Sequence, residues 1–120
     1  MNYAIFKVGI VGGGTMGGGI AALLARQGIP VVVKEGNEEL ATRAQNGIYA
    51  RFQGWYDKGK ISEHRLEELK SLVSVTSHSD DLSDVQLFIE AVSEEVDLKS
   101  RVFREFDGIL PEGVIMVSNT

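Results

Sequence analysis

The sequence contains no cysteine, which excludes disulfides and thiolate metal sites. Long apolar runs are also missing. Apolar runs such as residues 20–25 and 31–33 fall far short of the roughly 20 residues of a membrane-spanning helix, so no membrane insertion is expected. Cations are in deficit, with Lys+Arg at 12 against Asp+Glu at 17 and a formal net charge of −5. Such a balance disfavours non-specific binding to nucleic acid or to an anionic membrane. It leaves room for local anion binding, because backbone amides can supply the attraction. No cleavable leader is recognisable, since the first apolar stretch runs straight into a glycine cluster; the cytoplasm, or an organelle matrix after processing, is the expected location. With 43% hydrophobic and 24% charged residues the chain has globular rather than disordered composition, and 120 residues suit one domain spanning 1–120.

The order of elements follows from periodicity and punctuation. Residues 6–11 are short and β-branched and lead into glycine, as a buried strand does. Residues 15–27 place Met16, Ile20, Leu23, Leu24 and Gln27 at helical spacing, and Gly28 stops the helix. Residues 31–33 form a second strand, ending at Lys34 and Glu35. Asn37 is a fit N-cap, with Glu38 and Glu39 in the first turn, for a long helix running toward Asp57 and ended by Gly59. Ser62 caps a further helix, with Leu66, Leu69 and Leu72 on one stripe. Residues 73–76 and 87–89 read as strands, separated by a polar loop over 78–84. A helix over 97–109 turns Leu98, Val102, Phe103 and Phe106 inward, and a turn at Pro111, Glu112 and Gly113 leads to a last strand over 114–117. No internal repeat or linker interrupts this order. Apolar strands alternating with helices predict an α/β fold with a parallel sheet covered on both faces, which binds ligands at the carboxyl ends of its strands.

Gly12-Gly13-Gly14-Thr15-Met16-Gly17 matches G-x-G-x-x-G. A lone match means little in a chain with 14 glycines. Here the motif follows a buried strand and opens a helix, and an acidic residue, Glu35, closes the next strand about 20 residues on, as a dinucleotide site requires. Gly12 permits the tight turn, Gly14 lets backbone approach a pyrophosphate, and Gly17 allows close helix–strand packing. Free amides at the helix start and the helix dipole then face the phosphates. Thr15 belongs to the same cradle. Met16 either contacts the dinucleotide near the mouth or joins the core. Glycines entering a helix cost about 1 kcal/mol each relative to alanine, so a fold selected for stability alone would rarely keep them. Glu35 is expected to accept from the adenosine ribose hydroxyls, a solvated surface acid being the plain alternative. Its carboxylate repels a 2′-phosphate, Gly36 and Asn37 offer no cation, and Lys34 should alternate to the other face of the strand. The expected fold is a Rossmann-type doubly wound sheet, and NAD is favoured over NADP.

At these residues the chain resembles the 3-hydroxyacyl-CoA dehydrogenases of fatty-acid β-oxidation. The run from Gly12 to Ala21 resembles that family's nucleotide loop, and Gly28-Ile29-Pro30-Val31-Val32-Val33-Lys34-Glu35 is similar to the version in multifunctional β-oxidation enzymes. Ile89-Glu90-Ala91-Val92-Ser93-Glu94, with Lys99 five residues later, resembles the fourth strand and its following helix; Ser118-Asn119-Thr120 resembles the start of an S-N-T-S-S segment. The resemblance implies oxidation of the 3-hydroxyl of an acyl-CoA with hydride passing to nicotinamide. It implies that Glu94 and Lys99 lie by the nicotinamide half of the cofactor with Val92 and Ser93 along its path, a surface ion pair being the alternative for the charged two. It places Asn119 where substrate and nicotinamide meet, and Lys58 against CoA phosphate, an ordinary solvated lysine being equally compatible. It implies a homodimer for the full-length protein.

Two departures qualify the resemblance. The acid after the second strand is Glu rather than the commoner Asp, which serves the same acceptor role. The family's catalytic His, its Glu partner and the next Ser belong to positions past Thr120, so no catalytic residue is assigned within these residues and a C-terminal substrate and dimerisation domain is expected beyond them. His64, at a polar helix start, and His78, in a loop, are not expected near a strand's carboxyl end with an acid partner. Glu90 ends a strand and is expected to orient backbone. These 120 residues should therefore bind NAD without turnover. Two rivals remain open: a β-hydroxyacid dehydrogenase, which uses G-x-G-x-M-G but usually carries Asn-Arg-(Ser/Thr) where this chain has Glu35-Gly36-Asn37, and a non-catalytic NAD-sensing module.

Overall fold

The computed structural model describes residues 6–12, 14–91 and 96–118, with backbone alone for Thr15 and for residues 96–100. Its elements run β1 (Val8–Val11), α1 (Thr15–Arg26), β2 (Val31–Lys34), α2 (Glu38–Asp57), α3 (Glu63–Leu72), β3 (Val73–Thr76), a 3₁₀ turn (Ser79–Leu82), β4 (Leu87–Glu90), α4 (Val96–Asp107) and β5 (Ile115–Ser118). The strands form one sheet in the order β3-β2-β1-β4-β5, every neighbouring pair parallel. The chain thus winds outward from β1 through β2 and β3, then returns to β1's other side with β4. That reversal opens a crevice at the carboxyl edge between β1 and β4, where doubly wound sheets take their ligands. The register sets Thr76, Lys34, Val11, Glu90 and Ser118 side by side along this edge.

Strand alternation divides the core in two. Val8, Ile10, Val31 and Val33 face α1, α2 and α3, where they meet Ala21, Ala25, Ile48, Phe52 and Leu69. Val11, Val32 and Phe88 face the other way, against Leu82, Val85, Val102 and Phe106. The Phe88 and Phe106 rings lie 4.9 Å apart, and full burial of side chains this size stabilises by roughly 1.5–3 kcal/mol each. Gly9 faces Leu82 and Val85, and a Cβ there would come within 2.8 Å of Leu82 Cδ2. Helices therefore cover both faces, as the alternating pattern requires.

Local chemistry sets the helix ends. Asn37 accepts from the Leu40 amide at 2.8 Å and Ser62 from the Arg65 amide at 3.1 Å, capping α2 and α3. Gly28 (φ 82) and Gly59 (φ 73) turn the chain through the left-handed region after α1 and α2.

Three expectations are corrected. Leu23 is 61% exposed, although Ile20 and Leu24 do pack on the core. The face of α1 turned to the sheet carries Gly17, Gly18, Ala21, Ala22 and Ala25, because the helix starts too close to β1 for larger side chains. The polar stretch 78–84 is not a plain loop: its 3₁₀ turn drives Leu82 fully into the core. Phe6 lies outside β1 and is exposed. Ile115, Met116 and Val117 of β5 are also exposed, because β5 is the outer strand of the described sheet. No helix among the described residues is long and apolar enough to cross a membrane.

Candidate functional site

The site begins where β1 ends. Gly12 has φ 92, a conformation that L side chains rarely adopt, and its amide donates to the Lys34 carbonyl at 3.0 Å. The chain is thereby turned sharply while still pinned to β2. Gly17 completes the turn from the helix side. A Cβ on Gly17 would sit 1.8 Å from the Gly12 carbonyl oxygen, so α1 can approach the turn this closely only with glycine there. Gly14 is the N-cap of α1 and contributes no side-chain acceptor to the first-turn amides. A Cβ at Gly14 would meet nothing within 4 Å, so that flank of the turn is open. The first turn of α1 also lacks an acid, whereas α2 has Glu38 and Glu39 there and α3 has Glu63, each behind a capping side chain. The positive dipole end of α1 is therefore opposed by neither a cap side chain nor a first-turn acid, a condition that suits a phosphate group.

Glu35 follows β2, and its amide donates to the Thr76 carbonyl at 2.8 Å. The residue borders two hollows at the carboxyl edge. One, of about 510 Å³, lies on the α4 side and brings Glu35 together with Val11, Gly12, Lys34, Arg101 and Glu105. The other, of about 380 Å³, lies between α1 and α2 and brings it together with Gly14, Gly18, Arg43 and Arg51. Alternation does carry Lys34 to the α4 side, where its Nζ stands 3.6 Å from Glu105 Oε1; yet Glu35, just past the strand, borders that groove too. Leu40, one helical turn into α2, is shared by both hollows.

Glu90 is the one fully buried charged residue among the described residues. It ends β4 beside Val11, and the Ser118 hydroxyl at the end of β5 donates to its Oε1 at 2.9 Å. Its carboxylate thus ties the ends of two strands together through a side-chain bond.

The remaining candidates are distributed as follows. Gly12, Gly14, Gly17 and Glu35 converge on the crevice. Thr15 opens α1. Met16 is exposed beside the turn, which removes the core alternative for it. Lys99 falls on the backbone of α4, while Val92, Ser93, Glu94 and Asn119 lie outside the described residues. Lys58 is the exposed C-cap of α2, and at 1.5 Å per residue it stands about 30 Å along the helix from Asn37, far from the glycine turn. His64 is exposed at the start of α3. His78 needs a correction: it does follow a strand's carboxyl end, that of β3, and has an acid neighbour, with Nε2 at 3.6 Å from Glu38 Oε1. Both side chains are solvent-exposed, and β3 is two strands out from β1, about 10 Å away, so the pair stands apart from the crevice. No cluster of metal-ligating side chains occurs among the described residues. The sequence reading missed Arg101 and Glu105, and Arg43 and Arg51. Each pair sits at helical spacing, which was available as a signal, but its relevance depends on which helix borders which strand end.

Comparison with known proteins bears on this geometry. The family model for the NAD binding domain of 3-hydroxyacyl-CoA dehydrogenase matches residues 7–120. A 3-hydroxybutyryl-CoA dehydrogenase of Mycobacterium tuberculosis is 40% identical over 121 residues, covering 100% of this chain and 42% of the relative. The peroxisomal fatty acid beta-oxidation multifunctional protein MFP2 of Arabidopsis thaliana is 36% identical over 116 residues, covering 97% of this chain and 16% of its own. Among solved structures, M. tuberculosis FadB2 superposes with a TM-score of 0.94 at 39% identity, covering 98% of this chain and 42% of FadB2. The (S)-3-hydroxybutyryl-CoA dehydrogenase PaaH1 of Ralstonia eutropha gives 0.92 at 33%, covering 98% and 41%. The chain therefore spans less than half the length of these relatives. A glycine turn open to phosphate, an acid at the end of the second strand and a sheet in the order 3-2-1-4-5 agree with the matched family: the chain belongs to the NAD-binding domains of the 3-hydroxyacyl-CoA dehydrogenases.

Proposed function

We propose that this chain is the cofactor-holding part of an NAD-dependent 3-hydroxyacyl-CoA dehydrogenase acting in fatty-acid β-oxidation. One observation carries the reading: Gly12 in the left-handed region, closed against Gly17 and followed by a helix start with neither cap side chain nor acid. In it, the pyrophosphate lies over the amides of Gly14, Thr15 and Met16, and Glu35 accepts from the adenosine ribose in the groove it shares with Gly12. Val92, Glu94, Lys99 and Asn119 are assigned to the nicotinamide half on the strength of the family resemblance, and Lys58 to CoA phosphate. When bound, NAD supplies the acceptor for hydride from C3 of the substrate. The chain's own part is to fix the dinucleotide at the carboxyl edge. Removing the hydroxyl proton needs a base within hydrogen-bond reach, and neither described histidine borders the crevice.

The remaining assignments rest on the resemblance. The base, acyl pocket and dimer contacts are placed outside these residues, with the whole protein a homodimer. The cytoplasm is the assigned compartment, and the peroxisomal names among the plant relatives make the peroxisome the alternative that fractionation tests. Calorimetric titration of the 120-residue protein with NADH and NADPH checks the cofactor reading. NADH should bind more tightly, and Glu35→Ala should narrow the difference. Acetoacetyl-CoA reduction should be absent. Equal affinity for both nucleotides removes Glu35 from its role, and turnover abolished by His64→Ala or His78→Ala overturns the division of labour.

A further inference from the structure

The groove beside Glu35 has charges of both signs in its walls. Lys34 closes β2 with a side chain only 14% exposed, its Nζ 3.6 Å from Oε1 of Glu105, which is 44% exposed. Glu105 is itself placed by a hydrogen bond from the Ser79 hydroxyl in the turn after β3. Lys34, Glu35, Arg101 and Glu105 all border the same space. The cation next in sequence to the proposed ribose acceptor is therefore tied back by an acid delivered from α4.

We propose that Glu105 is a second determinant of cofactor choice, acting by holding Lys34 away from a 2′-phosphate. The inference rests on Glu35 gripping the adenosine ribose, since that places the 2′ position in this groove. A lysine has a flexible four-carbon stem and three rotatable donors, so Lys34, once released, can reach a phosphate in the groove. Paired with Glu105 it presents no net charge to an incoming dianion. Discrimination against NADPH then comes from two acids: Glu35 by direct opposition and Glu105 by occupying the neighbouring cation. Arg101 remains in the groove throughout, so its attraction is common to all variants compared.

The test is the ratio of NADPH to NADH affinity in the 120-residue protein. Glu105→Gln should tighten NADPH roughly fivefold, the size of one partly exposed charge contact, with NADH changed less than about twofold. The gain should shrink at high salt. Glu105→Ala should act in the same direction, which covers the case of a glutamine re-forming the contact with Lys34. Adding Lys34→Gln should remove the gain. Glu112→Gln deletes the same charge on the exposed turn before β5 and should leave the ratio alone. An unchanged ratio in both Glu105 variants overturns the inference while leaving the cofactor assignment standing, and so does a gain that survives Lys34→Gln. If the unaltered protein binds neither nucleotide, the cofactor assignment fails and takes this inference with it.

Discussion

Replacing Gly17 by alanine puts one methyl group where the structure has least room. The new Cβ would stand 1.8 Å from the Gly12 carbonyl oxygen and 2.9 Å from its carbon. An ordinary carbon–oxygen contact is about 3.3 Å, so turn and helix must separate by about 1.5 Å. Gly12 has little freedom to retreat, being held at φ 92 with its amide bonded to Lys34. Forcing extra methylenes into a filled space costs about 1–3 kcal/mol, and a clash with backbone belongs at the upper end. Alanine's better helix propensity returns about 1 kcal/mol. The net loss of about 2 kcal/mol lowers the thermal midpoint of a domain this size by about 8 °C. Displaced amides should also weaken NADH binding at least about tenfold, the cost of about 1.4 kcal/mol in lost contacts. Gly14→Ala is the matched control. Its Cβ meets nothing within 4 Å, so stability should fall by no more than about 1 kcal/mol, the scale of an N-cap change, while a ligand resting on that backbone is obstructed. Thermal unfolding by circular dichroism and NADH fluorescence titration read both quantities. A Gly17→Ala protein with unaltered midpoint and NADH affinity would refute the close-packed turn, and a Gly14→Ala protein with unaltered affinity would refute the backbone cradle.

Two further substitutions test how the edge is built. Ser118→Ala removes a donor from the buried Glu90 carboxylate, and should cost about 1 kcal/mol, with Ser118→Thr restoring most of it; no change in the urea midpoint would mean the bond contributes nothing to stability. Asn37→Ala removes the cap on the Leu40 amide and should cost about 1 kcal/mol, while Asn37→Ser should not; equal midpoints for the two would show that the cap is not stabilising α2.

Much of this arrangement was legible from residues acting locally. A strand such as Val-Gly-Ile-Val with no polar face has to be buried on both sides, and Asn37, Ser62, Gly28 and Gly59 mark helix ends by chemistry confined to a few residues. The glycine motif could be placed because its neighbours supplied the strand before it and the acid after it. What escaped the sequence reading depends on distances between elements. Leu23 has the hydrophobicity of a core residue but the wrong phase once α1 is pressed against β1, where Ala21, Ala22 and Ala25 take its place. Leu82 looked like part of a polar loop because its burial depends on the space left by Gly9, more than 70 residues earlier. Glu105 gave no sign of sharing a groove with Glu35, because helical spacing locates it on a face of α4 without saying which strand end that face meets.

The charge distribution fits the proposal of an anion site built from backbone. The chain is acidic, and two of the cations near the crevice are engaged, Lys34 with Glu105 and Arg43 with Glu39, while Arg51 and Arg101 also border the hollows. Lys34 and Arg43 thus offer a diphosphate little attraction, and the proposed cradle draws on the start of α1, which has neither a cap side chain nor a first-turn acid. Fixed amides have a compensating virtue, since they lose no rotamer freedom when a ligand arrives and do not relax away from it. They also have a structural requirement: amides can converge only if the turn before them is tight and the helix behind it close. That requirement falls on Gly12 and Gly17, whose backbone conformation and missing side chain satisfy it together. The affinity of the site and the packing of α1 on β1 are therefore set by the same atoms, so a substitution that loosens one must loosen the other.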